Sequence, residues 1–158
     1  MINAIFAMTE NGGIGHKGSL PWPHNSRDFR WFKSHTRNNM VVMGRNTWDD
    51  PLLPKPLPDR DNVIITNRAL EFYPRVVPIK PHGTQSFLIQ NSHKELFVIG
   101  GARVLNENYK LINRFYTTVF KGEYECDTFL STELLEYMKS KRITYEQDYE
   151  DLTFRIWG

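Results

Sequence analysis

Apolar residues in this chain come in short unbroken runs closed by turn or cap residues. The runs are Ala4-Ile5-Phe6-Ala7-Met8, Met40-Val41-Val42-Met43, Val63-Ile64-Ile65 and Leu96-Phe97-Val98-Ile99. Continuous rather than alternating hydrophobicity predicts strands covered on both faces, as in a mostly parallel sheet. Helical periods separate them. Ser26 can cap a helix through about Thr36, and another is expected near Asn46-Thr47-Trp48. After Gly100-Gly101, the residues Val104, Leu105, Asn108, Leu111 and Ile112 recur at helical spacing. Further on, Phe115 to Phe120 reads as a strand and Ser131-Thr132-Glu133 opens a short helix. Ile143, Tyr145 and Gln147 then answer Leu152, Phe154 and Ile156 in period-two alternation around Tyr149-Glu150-Asp151, which is a hairpin. Pro51, Pro54, Pro56 and Pro58 make one stiff surface crossing. No repeat, low-complexity tract or long linker divides the 158 residues. The pattern therefore predicts one α/β domain with a mixed sheet.

Composition narrows the function classes. With 40% hydrophobic and 24% charged residues the chain reads as an ordinary globular protein. A net charge of +2, spread along the chain, argues against nucleic-acid binding, which needs a clustered basic face. Lys139-Ser140-Lys141-Arg142 reads as a solvated helix end. The lone Cys126 excludes an internal disulfide and reads as an inert structural residue. No histidine pair has metal-ligand spacing, so no metal site is expected. No apolar run reaches the roughly 18 residues of a membrane span, and no basic-then-apolar leader opens the chain. A soluble, intracellular protein is the expectation.

The residue that packing explains least is Asp28, on the apolar side of the first expected helix. Phe29 lies beside it and Phe32 a turn away, while Arg27, Arg30, Lys33 and Arg37 can point to water. A lone acid in apolar surroundings is costly unless protonated or paired, so a partner is needed. Upstream, Gly13-Ile14-Gly15-His16-Lys17-Gly18 matches the dinucleotide pattern G-x-G-x-x-G, yet Pro21 and Pro23 follow where a helix should. The pyrophosphate-on-helix mechanism has nothing to act on there, and a mobile loop closing over a ligand fits better. In Val98-Ile99-Gly100-Gly101-Ala102-Arg103 a buried strand ends in two glycines and a helix begins at once. That is either a pyrophosphate cradle or simply a tight strand-to-helix turn. Met43-Gly44-Arg45-Asn46-Thr47-Trp48 repeats the design with an arginine, and Ile65-Thr66-Asn67-Arg68 puts hydroxyl, amide and guanidinium groups at a third strand end. Ligands of α/β sheets gather at the carboxyl ends of strands, and two arginines suit a phosphate monoester.

Taken in order, these residues resemble the dihydrofolate reductase family, of bacterial type in length. The series is Ile5 and Ala7, Ile14-Gly15, Leu20-Pro21-Trp22, and Asp28 with Phe32 and Thr36. It continues through Met43 to Trp48, Pro56-Leu57-Pro58 with Arg60, Ile99-Gly100-Gly101, Tyr116-Thr117-Thr118 and Asp127-Thr128. The resemblance implies a three-layer α/β domain over residues 1–158. Its central mixed, mostly parallel twisted sheet would have about eight strands, a C-terminal antiparallel hairpin and about four flanking helices. It implies reduction of 7,8-dihydrofolate to 5,6,7,8-tetrahydrofolate, with NADPH as cofactor, for one-carbon metabolism and thymidylate synthesis. A cytoplasmic monomer with dihydrofolate as its small-molecule partner, and no nucleic acid or membrane partner, is the corresponding expectation.

What the resemblance implies for single residues is more specific. Asp28 would hydrogen-bond the pterin at N3 and its 2-amino group and favour protonation at N5 through a water beside Trp22. Burial should raise its pKa and the helix N-terminus lower it, with burial dominating. Ile5, Ile99 and Thr118 would line the pterin pocket, and Phe32 would pack on the aminobenzoyl ring with Lys55 and Leu57 nearby. Arg60 would grip the α-carboxylate of the glutamate tail. On the cofactor side, Ala7, Ile14, Gly15, Ser19 and Leu20 would flank the nicotinamide half. Gly44, Asn46, Thr47, Gly100, Gly101, Ala102, Arg103 and Val104 would lie along the phosphates, with Ile99 shared. Arg45, Thr66, Asn67 and Arg68 would hold the 2′-phosphate, favouring NADPH over NADH. The Gly100-Gly101 peptide would be cis.

Departures from the family pattern are Leu105 where many members have tyrosine, Leu20 in place of a methionine, and a slightly longer crossing from Asp49 to Lys55. In that crossing either Leu52 or Leu53 could supply the usual apolar contact. Alternative readings are a reductase of the same fold acting on another heterocycle, and a non-catalytic pteridine- or nucleotide-binding module.

Overall fold

The computed structural model describes residues 1–158. The strands are β1 (Ile2–Thr9), β2 (Gly13–Gly15), β3 (Met40–Gly44), β4 (Asp61–Ile65), β5 (Val76–Ile79), β6 (Leu96–Gly100), β7 (Arg114–Phe120), β8 (Thr128–Phe129), β9 (Ile143–Asp148) and β10 (Leu152–Trp157). The helices are α1 (Ser26–Thr36), α2 (Arg45–Trp48), α3 (Thr84–Gln90), α4 (Ala102–Asn108) and α5 (Thr132–Lys139). Eight strands form one sheet in the order β5-β4-β3-β6-β1-β7-β10-β9. Pairing is parallel from β5 through to β7 and antiparallel from β7 to β9.

Alternation along the buried strands divides the core. Ala4, Phe6 and Met8 of β1 face one side, where Leu88, Leu105, Leu134 and Met138 close over them from α3, α4 and α5. Ile5 faces the other side with Val41, Met43, Ile64 and Phe97, under Trp31 and Phe32 of α1. Both faces of the central strands are dry, which is why their runs carry no polar alternation. The C-terminal hairpin follows the register expected of it, Phe154 opposite Gln147 and Ile156 opposite Tyr145. As the edge strand, β9 is exposed along its whole length. No helix is long and apolar enough to cross a membrane.

The local expectations are corrected in several places. The cap of α1 is Asn25 rather than Ser26: its side chain accepts the Asp28 N–H at 2.9 Å. Five helices flank the sheet, in keeping with the expected number of about four; the one with no local signal is α3, whose sequence TQSFLIQ has no side-chain cap and buries only Thr84 and Leu88. The second expected helix is a single turn, since Pro51 cannot continue it. The first glycine run is not an open loop. Gly13 and Gly15 pair as β2 with Phe129 and Thr128 of β8, and a Cβ on Gly13 would stand 2.5 Å from the Cys126 sulfur. Cys126 is thus a packing neighbour of that strand.

Candidate active site

A cleft of about 980 Å³ runs along the carboxyl ends of β3, β4 and β6 and down to the middle of β1 and β7. At its inner end stands Asp28, in the first turn of α1. Asn25 occupies its backbone N–H, and its carboxylate Oδ1 accepts a 2.7 Å hydrogen bond from the Thr118 hydroxyl. Thr118 is rigidly placed in the sheet centre, opposite Ala7 on one side and Phe154 on the other. So the acid has a partner in the chain itself. Burial nevertheless pushes the Asp28 pKa above its usual value, against the Thr118 bond and the charge of His24, which both lower it.

Around this carboxylate the walls are apolar. Trp22 is buried and stacks on Phe120 at 4.4 Å between ring centroids, with Tyr124 edge-on. Ile5, Leu57, Phe32 and Ile99 complete the inner cleft. Leu52 and Leu53 both line it further out, Leu52 largely exposed and Leu53 packed against the core cluster that includes Trp48 and Leu57.

The outer cleft is built of backbone and cations. The Gly100-Gly101 peptide is cis, and Gly100 has φ +138°, a conformation open to glycine. A Cβ on Gly44 would meet Val104 Cγ2 at 3.1 Å, and one on Gly100 would meet Thr47 Oγ1 at 3.3 Å. Glycine at these positions thus lets Val104 and Thr47 pack directly on the backbone, and Gly44, Gly100 and Gly101 line the cleft where Ala102, Arg103 and Val104 open α4. Beside it, Arg45 Nη1 reaches Thr66 Oγ1 and the Ala69 carbonyl, both at 3.2 Å. Arg45 Nε also pairs with Asp49 at 3.0 Å, and Arg68 Nη2 meets the same carboxylate at 3.0 Å. Both arginines hold the Asp49 carboxyl below its usual pKa despite the opposing desolvation.

The cleft gathers nearly all of the expected residues. Ala7, Ile14, Gly15, Ser19 and Leu20 border it where β2 and its following turn cross, and Asn46 and Asn67 join the outer rim. Two expected substrate residues lie outside its lining. Lys55 is exposed, with Nζ 5.8 Å above the Trp48 ring, because the proline-rich crossing carries it outward. Arg60 is buried, 4% exposed, behind the wall: Nε donates to the Pro58 carbonyl at 2.8 Å and Nη1 to Thr36 Oγ1 at 3.1 Å. Its guanidinium lies 5.8 Å from the Phe32 ring centroid, so it borders the cleft through Phe32. His24 and Asp49 were not among the expected residues. The four-residue spacing from Arg45 to Asp49 was the available signal for the latter; His24 gave none, because it precedes the Asn25 cap and lies outside the helix.

Residues 1–157 match the protein-family model described as dihydrofolate reductase. The dihydrofolate reductase of Buchnera aphidicola is 30% identical, the match covering 98% of this chain and 96% of that protein. That of Bacillus subtilis is 34% identical, over 80% of this chain and 73% of its own length. Among solved structures, dihydrofolate reductase from Enterococcus faecalis complexed with NADP(H) and RAB-propyl superposes with a TM-score of 0.79 at 28% identity, covering 99% of this chain and 95% of that one. With a conforming sheet, an acid at the inner end of the cleft and matches along almost its entire length, the chain belongs to the dihydrofolate reductase family.

Proposed function

We propose that this protein reduces 7,8-dihydrofolate to 5,6,7,8-tetrahydrofolate with NADPH, as a single-domain cytoplasmic monomer. The observation that carries the reading is the pairing of Asp28 with Thr118 at the closed end of a cleft whose open end is glycine backbone and guanidinium. An apolar pocket with one hydrogen-bonded carboxylate suits a flat heterocycle presenting an N–C–N donor edge. Thr118 engages Oδ1 and leaves acceptor capacity on both oxygens, enough for N3–H and the 2-amino group.

The outer cleft fits a dinucleotide phosphate chain. Glycines at the ends of β3 and β6 leave no side chain in the way, while Arg45, Arg68 and Thr66 supply donors for a phosphate monoester. NADPH, when bound, supplies the hydride delivered to C6 of the pterin. The protein's own part is positional and electrostatic. Ile5 and Ile99 wall the heterocycle, Trp22 borders the water through which Asp28 favours protonation at N5, Phe32 and Leu57 hold the aminobenzoyl side, and Arg60 behind Phe32 takes the glutamate carboxylate through Nη2, which neither Pro58 nor Thr36 engages. Asp28 orients the ring and, with its raised pKa, keeps a proton available near N5 as pH rises. Asp28 recognises and polarises; it is not a nucleophile.

The test is the decay of reduced-nicotinamide absorbance with purified protein, with and without dihydrofolate. Substrate-dependent decay is the expected result. Decay at the same rate in both cuvettes would overturn the reaction.

A further inference from the structure

We infer that Asp49 sets how strongly this site discriminates for a 2′-phosphate, by acting as the internal counter-charge of the Arg45–Arg68 pair. The inference rests on reading the outer cleft as the phosphate end. Asp49 follows α2 directly, one helical turn beyond Arg45, and its backbone N–H closes that turn on the Arg45 carbonyl at 2.9 Å. Its Oδ1 lies 3.0 Å from Arg45 Nε, and its Oδ2 lies 3.2 Å from the same nitrogen and 3.0 Å from Arg68 Nη2. The carboxylate thus bridges two cations that come from different strand ends. Arg45, Arg68 and Thr66 line the cleft, whereas Asp49 itself does not. Asp49 is solvent-exposed outside that lining, so a phosphate in the cleft would meet the arginines and not the carboxylate.

Such a carboxylate acts in two opposite ways. It orients the guanidiniums, and it cancels one of their two charges. The bonds decide between them. Arg45 is also held by Thr66 Oγ1 and the Ala69 carbonyl, so it keeps its place without Asp49. Arg68 has no other side-chain hydrogen bond, but it is well exposed, and ordering an exposed arginine contributes little. The lost charge acts on a phosphate monoester carrying close to two negative charges. In a water-like dielectric, one charge opposed to a dianion about 6 Å away corresponds to about tenfold in affinity. Neutralisation outweighs orientation, and Asp49 weakens phosphate binding. Its presence keeps the site from gripping its cofactor through the phosphate alone.

The experiment compares two probes differing only in the 2′-phosphate, adenosine 2′,5′-bisphosphate and adenosine 5′-monophosphate. Their affinities for the full chain are measured by titration calorimetry at low and high salt. Asp49→Asn keeps an acceptor for Arg45 and should bind the bisphosphate about tenfold more tightly at low salt, with the monophosphate within about twofold of wild type. The gain should shrink at high salt, a response that a change in packing would not show. Unchanged or weaker bisphosphate binding in Asp49→Asn, while Arg45→Ala still weakens it, would overturn the role given to Asp49 and leave the phosphate end standing. Equal bisphosphate affinity in Arg45→Ala and wild type would instead overturn the phosphate end, and this inference with it.

Discussion

Replacing Asp28 by asparagine should make the protein more stable and less active, two readouts of opposite sign from one oxygen-to-nitrogen change. Burial holds the Asp28 carboxyl above its ordinary pKa, so the folded chain binds this proton more tightly than the unfolded chain. The ionised acid therefore weighs against folding. That burden is absent below the unfolded value of 3.8 and complete once pH has passed the raised folded value. Desolvating an ion costs several kcal/mol, and the charge-assisted bond from Thr118 returns about 1.5–3 kcal/mol, leaving about 1–2 kcal/mol against the fold near pH 8. Asparagine retains an acceptor for Thr118 without the charge. At this chain length the gain corresponds to roughly 2–8 °C in Tm. The assay is urea unfolding of both proteins from pH 3.5 to pH 8, alongside turnover near neutral pH. The stability gap should open with rising pH and close in acid, while turnover falls by well over tenfold. A variant less stable at pH 8, or a gap that does not depend on pH, would refute the dominance of burial. Equal turnover would refute the role in protonation.

Thr118→Val removes the only hydroxyl bonded to Asp28 and should cost about 1.5–3 kcal/mol of stability where the acid is ionised, less in acid, by the same titration. It should also move the pH profile of kcat/KM upward, because the bond lowers the pKa of Asp28. Gly13→Ala would drive a methyl into the Cys126 sulfur at 2.5 Å and the Thr9 hydroxyl at 2.9 Å, and should destabilise by about 1–3 kcal/mol in chemical denaturation. Arg60→Lys should raise KM for dihydrofolate severalfold while the KM for NADPH stays unchanged, since an ammonium cannot bond both Pro58 and Thr36 and still present a fork; steady-state kinetics with each substrate varied would show it.

What could be read from the sequence was whatever depends on neighbours along the chain. The unbroken runs in β1, β3, β4 and β6 announce burial on both faces, and Leu152, Phe154 and Ile156 against Gln147 and Tyr145 announce a hairpin. Asp28 was conspicuous because an acid beside Phe29 and Phe32 conflicts with the polarity of its own helix face. Long-range partners left no such mark. Thr118 is 90 residues from Asp28, and only the parallel placement of β7 against β1 brings them together. Glycine-rich β2 has no strand propensity of its own and exists through β8. The direction taken by the crossing after α2 settles Lys55 outward and Arg60 behind Phe32, and the spacing of prolines does not encode that direction.

The strand order also governs how such a site comes into being on a ribosome. β1 is synthesised well before its neighbours β6 and β7, which arrive only with Leu96 and Arg114. Until then the nascent chain carries an apolar ribbon with both edges open, a natural target for chaperones that shield hydrophobic strands. Thr118 is buried between β1 and β10, so the floor beneath Asp28 closes only after Leu152 to Trp157 have paired with β7. The site should therefore become ligand-competent only once β10 has paired, with the slow kinetics of a sheet rich in distant pairings.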